Sequence, residues 1–99
     1  MSILESSSRR VTLRLIVRGR VQGVSYRASL RDRALDAGVD GWVRNLDDGS
    51  VEALLQGEEP DVRRVVDWAR VGPPAAEVSD VSEEAQEGYP RLSGFRVAA

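Results

Sequence analysis

The chain of 99 residues contains no cysteine and no histidine, and all 14 of its basic residues are arginine. Without cysteine there is no disulfide, no thiol nucleophile and no thiolate metal site. Without histidine there is no imidazole base, no phosphohistidine and no ordinary zinc or copper centre. The lack of lysine excludes Schiff-base chemistry and the lysine of a nucleotide P-loop. The chain therefore lacks the cysteine, histidine and lysine side chains that most familiar hydrolase mechanisms require.

Aromatic residues and long apolar runs are also scarce. The chain has two Trp, two Tyr and one Phe, and its first predicted strand offers no ring for stacking bases, which disfavours an RNA-binding module. No run approaches the roughly 20 apolar residues of a membrane span, and the first ten residues lack the apolar core of a signal peptide. We expect a cytoplasmic protein without a membrane partner, by default a monomer, with a disordered tail at 1–10 and one domain at 11–99.

The charge is unevenly distributed along the chain. The formal net charge is −2, yet residues 1–44 carry nine arginines against four acidic residues, and residues 45–99 carry five against twelve. A pI near 5.1 argues against nucleic acid as a partner. The arginine-rich first half could still hold a small anion locally.

The spacing of the apolar residues predicts the element order β-α-β-β-α-β. Residues 11–18 alternate as a half-buried strand does, and apolar residues after Ser25 recur at helical spacing until Gly38. Strands are predicted at 40–45, 50–56 and 78–82, with a second helix between Gly57 and Gly72 and at most a short strand at 95–97. The predicted buried residues of the two helices are Tyr26, Leu30, Ala34 and Ala37 in the first, and Val62, Val65, Val66 and Ala69 in the second.

This order predicts an α+β fold of about one hundred residues, the ferredoxin-like split βαβ sandwich, with an antiparallel sheet and two helices on one face. The turn at Asp47-Asp48-Gly49 predicts that the second and third strands form a hairpin. The fold hosts many unrelated activities, so the function has to be argued from a site.

The loop between the first strand and the first helix has the features of an anion site. Gly19 and Gly23 bracket it, and glycine lets backbone amides approach an anion, which a helix N-terminus also favours. Arg27, in or near the first helical turn, could add a two-pronged contact to phosphate or carboxylate. The loop has neither the Gly-Lys-Ser/Thr end of a P-loop nor the dinucleotide fingerprint. A tight connection followed by a solvated arginine is the alternative, and spacing alone leaves both open.

Asn45, at the end of a predicted strand, also has two interpretations. It could be a turn residue whose side chain caps its own loop. It could instead orient a water molecule, because its neutral amide donates and accepts hydrogen bonds without repelling an anionic substrate. The pattern alone leaves both interpretations open.

Two longer segments resemble the signatures of the acylphosphatase family. Residues 17–27 have the sequence VRGRVQGVSYR and resemble the first signature, and residues 41–52, GWVRNLDDGSVE, resemble the second. Matches at Gln56-Gly57, Trp68, Gly72-Pro73 and Phe95-x-Val97 extend the resemblance from about Val11 to Val97. Tyr26 stands where the family more often has Phe, and its added hydroxyl needs a hydrogen-bond partner.

The resemblance implies a ferredoxin-like enzyme that hydrolyses the carboxyl–phosphate bond of acyl phosphates to a carboxylate and inorganic phosphate. Carried over by position, Arg27 would bind the substrate phosphate and Asn45 would position the attacking water. The backbone of the preceding loop would complete a phosphate cradle formed by Arg20, Val21, Gln22, Gly23 and Val24.

The missing residue types limit the mechanism that this resemblance implies. Without Cys and His, the usual phosphoenzyme routes are closed, and no D-x-D pattern or carboxylate cluster indicates an aspartyl nucleophile or a two-metal site. We therefore expect direct attack by water, with no covalent intermediate, no metal and no cofactor. The alternative is a non-catalytic module of the same fold that binds a small anion or serves a regulatory role.

Overall fold

The computed structural model describes residues 9–99, which form a five-stranded sheet and two helices. The elements in chain order are β1 (Arg10–Arg20), α1 (Tyr26–Ala37), β2 (Asp40–Asn45), β3 (Val51–Glu58), α2 (Glu59–Ala69), β4 (Glu77–Ala85) and β5 (Phe95–Val97). The strands lie in the order β4-β1-β3-β2-β5. The ferredoxin-like α+β sandwich is therefore confirmed.

The four longer strands form the antiparallel sheet that the sequence predicts, and the short terminal strand makes the complete sheet mixed. The β1–β3, β1–β4 and β2–β3 pairs are antiparallel, but β5 runs parallel to β2. The reason is the path of the chain: β5 follows β4 by a reversal through residues 86–94, so it runs opposite to β4. β5 therefore runs in the same direction as β2, the strand with which it pairs.

Several predicted boundaries are wrong because strand pairing extends further than the apolar pattern does. Gly19, predicted to begin the loop, lies in β1 and is paired with Val78, and β3 continues to Glu58. Glu83 and Ala85, placed in a polar loop by sequence, belong to β4, whose pairing with β1 continues to Leu13. Arg10, assigned to the tail, pairs with Glu58 at the start of β1. Residues 1–8 of the expected disordered tail lie outside the described residues.

The helices cover one face of the sheet with the apolar stripes that their spacing predicts. The buried residues are Tyr26, Leu30 and Ala34 in α1 and Val62, Val65, Val66 and Ala69 in α2, while Ala37 is only partly buried. They pack with Leu13, Leu15, Val17, Ala53 and Leu55 of the two central strands. Gly38 ends α1 in the left-handed conformation (φ 71°), as predicted. No helix within residues 9–99 has both the length and the apolar character needed to cross a bilayer.

The strand register brings two connections to one end of the sheet. Val51, the first residue of β3, lies opposite Val17 of β1 on one side and opposite Asn45 of β2 on the other. The loop that follows β1 and the hairpin turn that follows β2 therefore leave the sheet at the same end.

Candidate active site

The loop between β1 and α1 adopts an unusual backbone conformation. Gly23 (φ 74°) and Ser25 (φ 64°) are both left-handed, and Ser25 is the one residue other than glycine with a positive φ within 9–99. A left-handed conformation at such a residue costs about 1–3 kcal/mol and is concentrated at functional sites. Alternation of left-handed and ordinary residues also produces the concave run of amides that binds anions.

The backbone amides of residues 22–28 have no acceptor within residues 9–99. Ser25 occupies the N-cap of α1 without a capping hydrogen bond from its side chain, and the first turn contains no acidic residue. The first backbone amide after the loop that donates a hydrogen bond is that of Ser29, which binds the Ser25 carbonyl at 3.0 Å. Because the positive end of the helix dipole is also located here, an anion would satisfy these amides.

Arg27 lies beside these amides and has no carboxylate partner in the described part of the chain. It is half-buried and lines a hollow of about 180 Å³. The other lining residues are Val21, Gly23, Ser25, Tyr26, Ala28 and Val97. The hollow therefore combines a cationic fork and backbone donors with an apolar wall.

Asn45 presents a buried acceptor that no described residue satisfies. Its side chain lies on the helix-covered face, since it has the strand parity of Val43, and its Oδ1 is buried and accepts no hydrogen bond within residues 9–99. A buried acceptor without a donor costs about 1–3 kcal/mol, and a bound water is a common donor for such an atom.

The Asn45 side chain therefore does not cap its own turn. Asp48 does so instead: its Oδ1 accepts hydrogen bonds from the Ser50 amide at 3.0 Å and from the Ser50 hydroxyl at 2.5 Å. These hydrogen bonds lower the pKa of Asp48 below its usual value. The turn is thus closed without using the Asn45 amide.

The Gln22 side chain joins the loop to this turn. Its Nε2 donates to the carbonyl oxygens of Leu46 at 2.8 Å and Ser50 at 2.9 Å. From the sequence only the backbone of Gln22 was expected in the cradle, so this side-chain contact was not predicted. The partners are 24 and 28 residues away along the chain, so no local pattern could have indicated it.

The five residues predicted to form the cradle do not all lie in the loop. Arg20 lies at the end of β1, where it pairs with Glu77, and Val21 is buried with its side chain in the core. Gln22, Gly23 and Val24 form the loop itself. Asn45 does not line the hollow beside Arg27; it is connected to that loop through Gln22 and the turn.

A cavity of about 580 Å³, larger than the hollow beside Arg27, lies at the opposite end of β1. The polar groups that line it are mostly bonded to one another and support the segment 85–91. Three of its four arginines are paired: Arg9 with Glu59 at 3.5 Å, Arg10 with Asp40 at 3.0 Å and Arg63 with Glu83 at 2.6 Å. Gln56 at its base accepts from Leu92 N and donates to Thr12 and Pro90. Size therefore does not identify the site here; unsatisfied donors and acceptors do.

Comparison with known proteins points to one family. A family model described as Acylphosphatase matches residues 13–97. The chain is 46% identical over 89 residues to an acylphosphatase of Pelotomaculum thermopropionicum, covering 90% of this chain and 97% of that one. It is 54% identical over 91 residues to an acylphosphatase of Haloquadratum walsbyi, covering 92% and 97%. The crystal structure of acylphosphatase from Bacillus subtilis superposes with a TM-score of 0.87 at 34% identity, covering 90% of this chain and 99% of that one.

Proposed function

The chain belongs to the acylphosphatase family and hydrolyses acyl phosphates, and from this premise we propose that Arg27 and Asn45 divide the reaction between them. It is an enzyme, a hydrolase of acid anhydrides, so a non-catalytic anion-binding module is the less favoured alternative. In our proposal Arg27 and the loop amides hold the substrate phosphate. Asn45 orients the water that attacks it.

The observation that carries this proposal is the buried Oδ1 of Asn45, which has no hydrogen-bond partner within residues 9–99. Leu46, the next residue, is hydrogen-bonded to Gln22 of the loop, whose amides at 22–28 also lack an acceptor among these residues. An amide oxygen accepts a hydrogen bond from water and thereby orients it. In our proposal a lone pair of the oriented water then faces the phosphorus atom. The amide carries no charge, unlike an aspartate, and therefore does not repel the phosphate dianion. Positioning of this kind converts a bimolecular encounter into an effectively unimolecular step.

The chemical step we propose is an in-line displacement at phosphorus. The water oxygen forms a bond to phosphorus while the bond from phosphorus to the carboxyl oxygen breaks. The acyl group leaves with its electron pair as a carboxylate, and the protons of water remain on the product as dihydrogen phosphate. A phosphate oxygen accepts the water proton in this scheme, which requires no protein base.

Arg27 and the loop amides stabilise the charge that spreads over the phosphate oxygens in the transition state. Preformed donors of this kind supply the largest share of catalysis in phosphoryl transfer, together with positioning. A carboxylate is already a good leaving group, so these two contributions suffice. The apolar wall of the hollow, formed by Val21, Ala28 and Val97, tolerates different acyl groups.

We also propose that the reaction needs no metal or cofactor and that the enzyme acts as a cytoplasmic monomer without a nucleic-acid partner. Within the described residues no three acidic side chains are grouped as metal ligands. Arg14, Arg18 and Arg44 are paired with carboxylates, which reduces the positive field available to nucleic acid.

Hydrolysis of benzoyl phosphate in ¹⁸O-labelled water after extensive EDTA treatment tests this scheme. We expect phosphate to acquire one ¹⁸O, benzoate to acquire none, and the rate to match that of untreated enzyme. The enzyme-free reaction under the same conditions serves as the control. Label in the benzoate, or activity that only added Mg²⁺ or Mn²⁺ restores to the enzyme, would contradict it.

A further inference from the structure

We propose that the side chain of Gln22 is a positioning residue, which aligns the phosphate loop with Asn45 through the β2–β3 turn. The inference rests on the proposed roles of Arg27 and Asn45. Both hydrogens of the Gln22 amide are used, one toward the Leu46 carbonyl at 2.8 Å and one toward the Ser50 carbonyl at 2.9 Å.

These two carbonyls belong to the base of the turn, next to Asn45. Leu46 follows Asn45 directly, and Ser50 precedes Val51, the residue paired with Asn45 across the hairpin. The Leu46 amide donates to the same Ser50 carbonyl at 2.9 Å. Gln22 therefore binds one carbonyl on each arm of the turn, that of Leu46, one residue after Asn45, and that of Ser50, on the facing side of the hairpin.

The loop is held by the core at Val21 and Val24, but the backbone between them borders open space. A Cβ placed on Gly23 would meet no atom within 4 Å. The Gln22 side chain is half-buried, and Ser50 is buried with only 4% of its surface exposed. The two hydrogen bonds from Gln22 are therefore the polar contacts that connect the loop to the turn.

Loss of the Gln22 amide would leave the turn itself closed. The Leu46 carbonyl still accepts from the Gly49 amide at 3.2 Å, and the Ser50 carbonyl still accepts from the Leu46 amide. The cradle amides and Arg27 do not depend on the Gln22 side chain for their own hydrogen bonds. We therefore expect its loss to misalign phosphate and water without abolishing phosphate binding.

Gln22→Met tests this separation, because methionine keeps the length of the side chain and removes both donors without adding charge. We expect kcat to fall about 10- to 100-fold, the range in which small misplacements of reacting groups act. The inhibition constant of inorganic phosphate should stay near the wild-type value. Asp48→Ala is the matched control: it loosens the same turn through Ser50 but leaves the Gln22 contact, so its kcat should remain close to wild type.

A double-mutant cycle with Asn45→Ala distinguishes action through Asn45 from general loosening of the fold. If Gln22 acts through Asn45, Gln22→Met should have little further effect on kcat in the Asn45→Ala background. An equal fall in both backgrounds, a wild-type kcat, or a parallel loss of phosphate binding would overturn the inference.

The design also separates this inference from the proposed function. A fully active Asn45→Ala enzyme would contradict the role of Asn45 itself, whereas an inactive Asn45→Ala enzyme beside a fully active Gln22→Met enzyme contradicts only the role of Gln22. If Gln22→Met is unfolded by circular dichroism, Gln22→Lys gives the decisive comparison. Its ammonium can donate to the same two carbonyls, so it should retain more kcat than Gln22→Ala; equal activities would overturn the inference.

Discussion

The arginines of this protein differ in whether a carboxylate binds them, and this difference separates arginines that hold the fold together from one that is available to a ligand. Arg14 and Arg44 both donate to Glu52, and Arg18 pairs with Asp80. Arg27 has no such partner within residues 9–99, although it is half-buried. A charged fork next to unpaired amides is suited to an external anion.

Arg27→Gln should therefore weaken the binding of inorganic phosphate, measured as a competitive inhibitor of benzoyl phosphate hydrolysis. Losing a charge-assisted hydrogen-bonded contact costs about 1.5–3 kcal/mol in binding, with a further loss in the transition state. Arg31→Gln is the control, because Arg31 lies one turn further along α1 and pairs with exposed Asp32. Equal phosphate inhibition in wild type and Arg27→Gln would remove Arg27 from the site.

Tyr26 shows how a departure from the family pattern is accommodated. Its hydroxyl donates to the Ala69 carbonyl at 2.7 Å, and its ring packs on Trp68 with centroids 5.6 Å apart. Burial raises the pKa of this phenol above its ordinary value. The partner that the hydroxyl was predicted to need is the last carbonyl of α2, so the bond joins the two helices.

Tyr26→Phe should lower the free energy of unfolding by about 0.5–1.5 kcal/mol, the net value of one such hydrogen bond. The measurement is urea denaturation followed by far-UV circular dichroism. Tyr89→Phe is the control, since the Tyr89 hydroxyl has no hydrogen bond among the described residues and stability should not change. Identical midpoints for wild type and Tyr26→Phe would contradict this account.

Helices and strands were predictable to the extent that one face of each is apolar. The stripes of α1 and α2 and the bounds of β2 followed from spacing alone. The extension of β4 to Ala85 did not, because residues 83–85 are polar and become a strand only through pairing with β1. Similarly, spacing left Arg27 and Asn45 ambiguous, and the contact of Gln22 with Leu46 depends on tertiary placement.

Three strands are joined on the open face of the sheet by one buried carboxylate. Glu52 of β3 accepts from Arg14 of β1 at 2.5 Å and from Arg44 of β2 at 2.6 Å. Burial alone would raise the pKa of Glu52, but the hydrogen bonds from Arg44 and Arg14 outweigh it and lower the pKa. Because the folded-state pKa lies below the unfolded value, this contribution to stability is present above pH 4.5 and is lost as the pH falls through the folded-state pKa.

Glu52→Gln should reduce the free energy of unfolding at pH 7 by about 1.5–3 kcal/mol, the value of hydrogen bonds to a charged group. Its stability should also decline less than that of wild type when the pH is lowered below 4.5. Urea titrations at a series of pH values measure both effects. Glu84→Gln, which removes an exposed 3.5 Å pair with Arg14, should change little; parallel pH profiles for wild type and Glu52→Gln would contradict the assignment.

At the scale of the whole molecule, our proposal assigns substrate binding and water positioning to two neighbouring segments at one end of the sheet. The loop after β1 supplies amides and leads into Arg27, while the last residue of β2, before the hairpin turn, is Asn45. The register of Val17, Val51 and Asn45 places these connections side by side, and Gln22 joins them. The ferredoxin-like topology makes this possible because β1 and β2, which flank β3, run in the same direction and end together.

The most direct test of this division is the effect of Asn45→Ala on turnover and on phosphate inhibition, measured in the same preparation after circular dichroism has shown that it is folded. We predict that kcat falls by about a hundred- to a thousand-fold, the loss seen when one positioned hydrogen bond to a transition state is removed. The inhibition constant of inorganic phosphate should stay close to that of wild type, because Arg27 and the loop amides are unchanged. A folded variant with normal turnover, or one that loses turnover and phosphate binding together, would contradict the separation of the two roles.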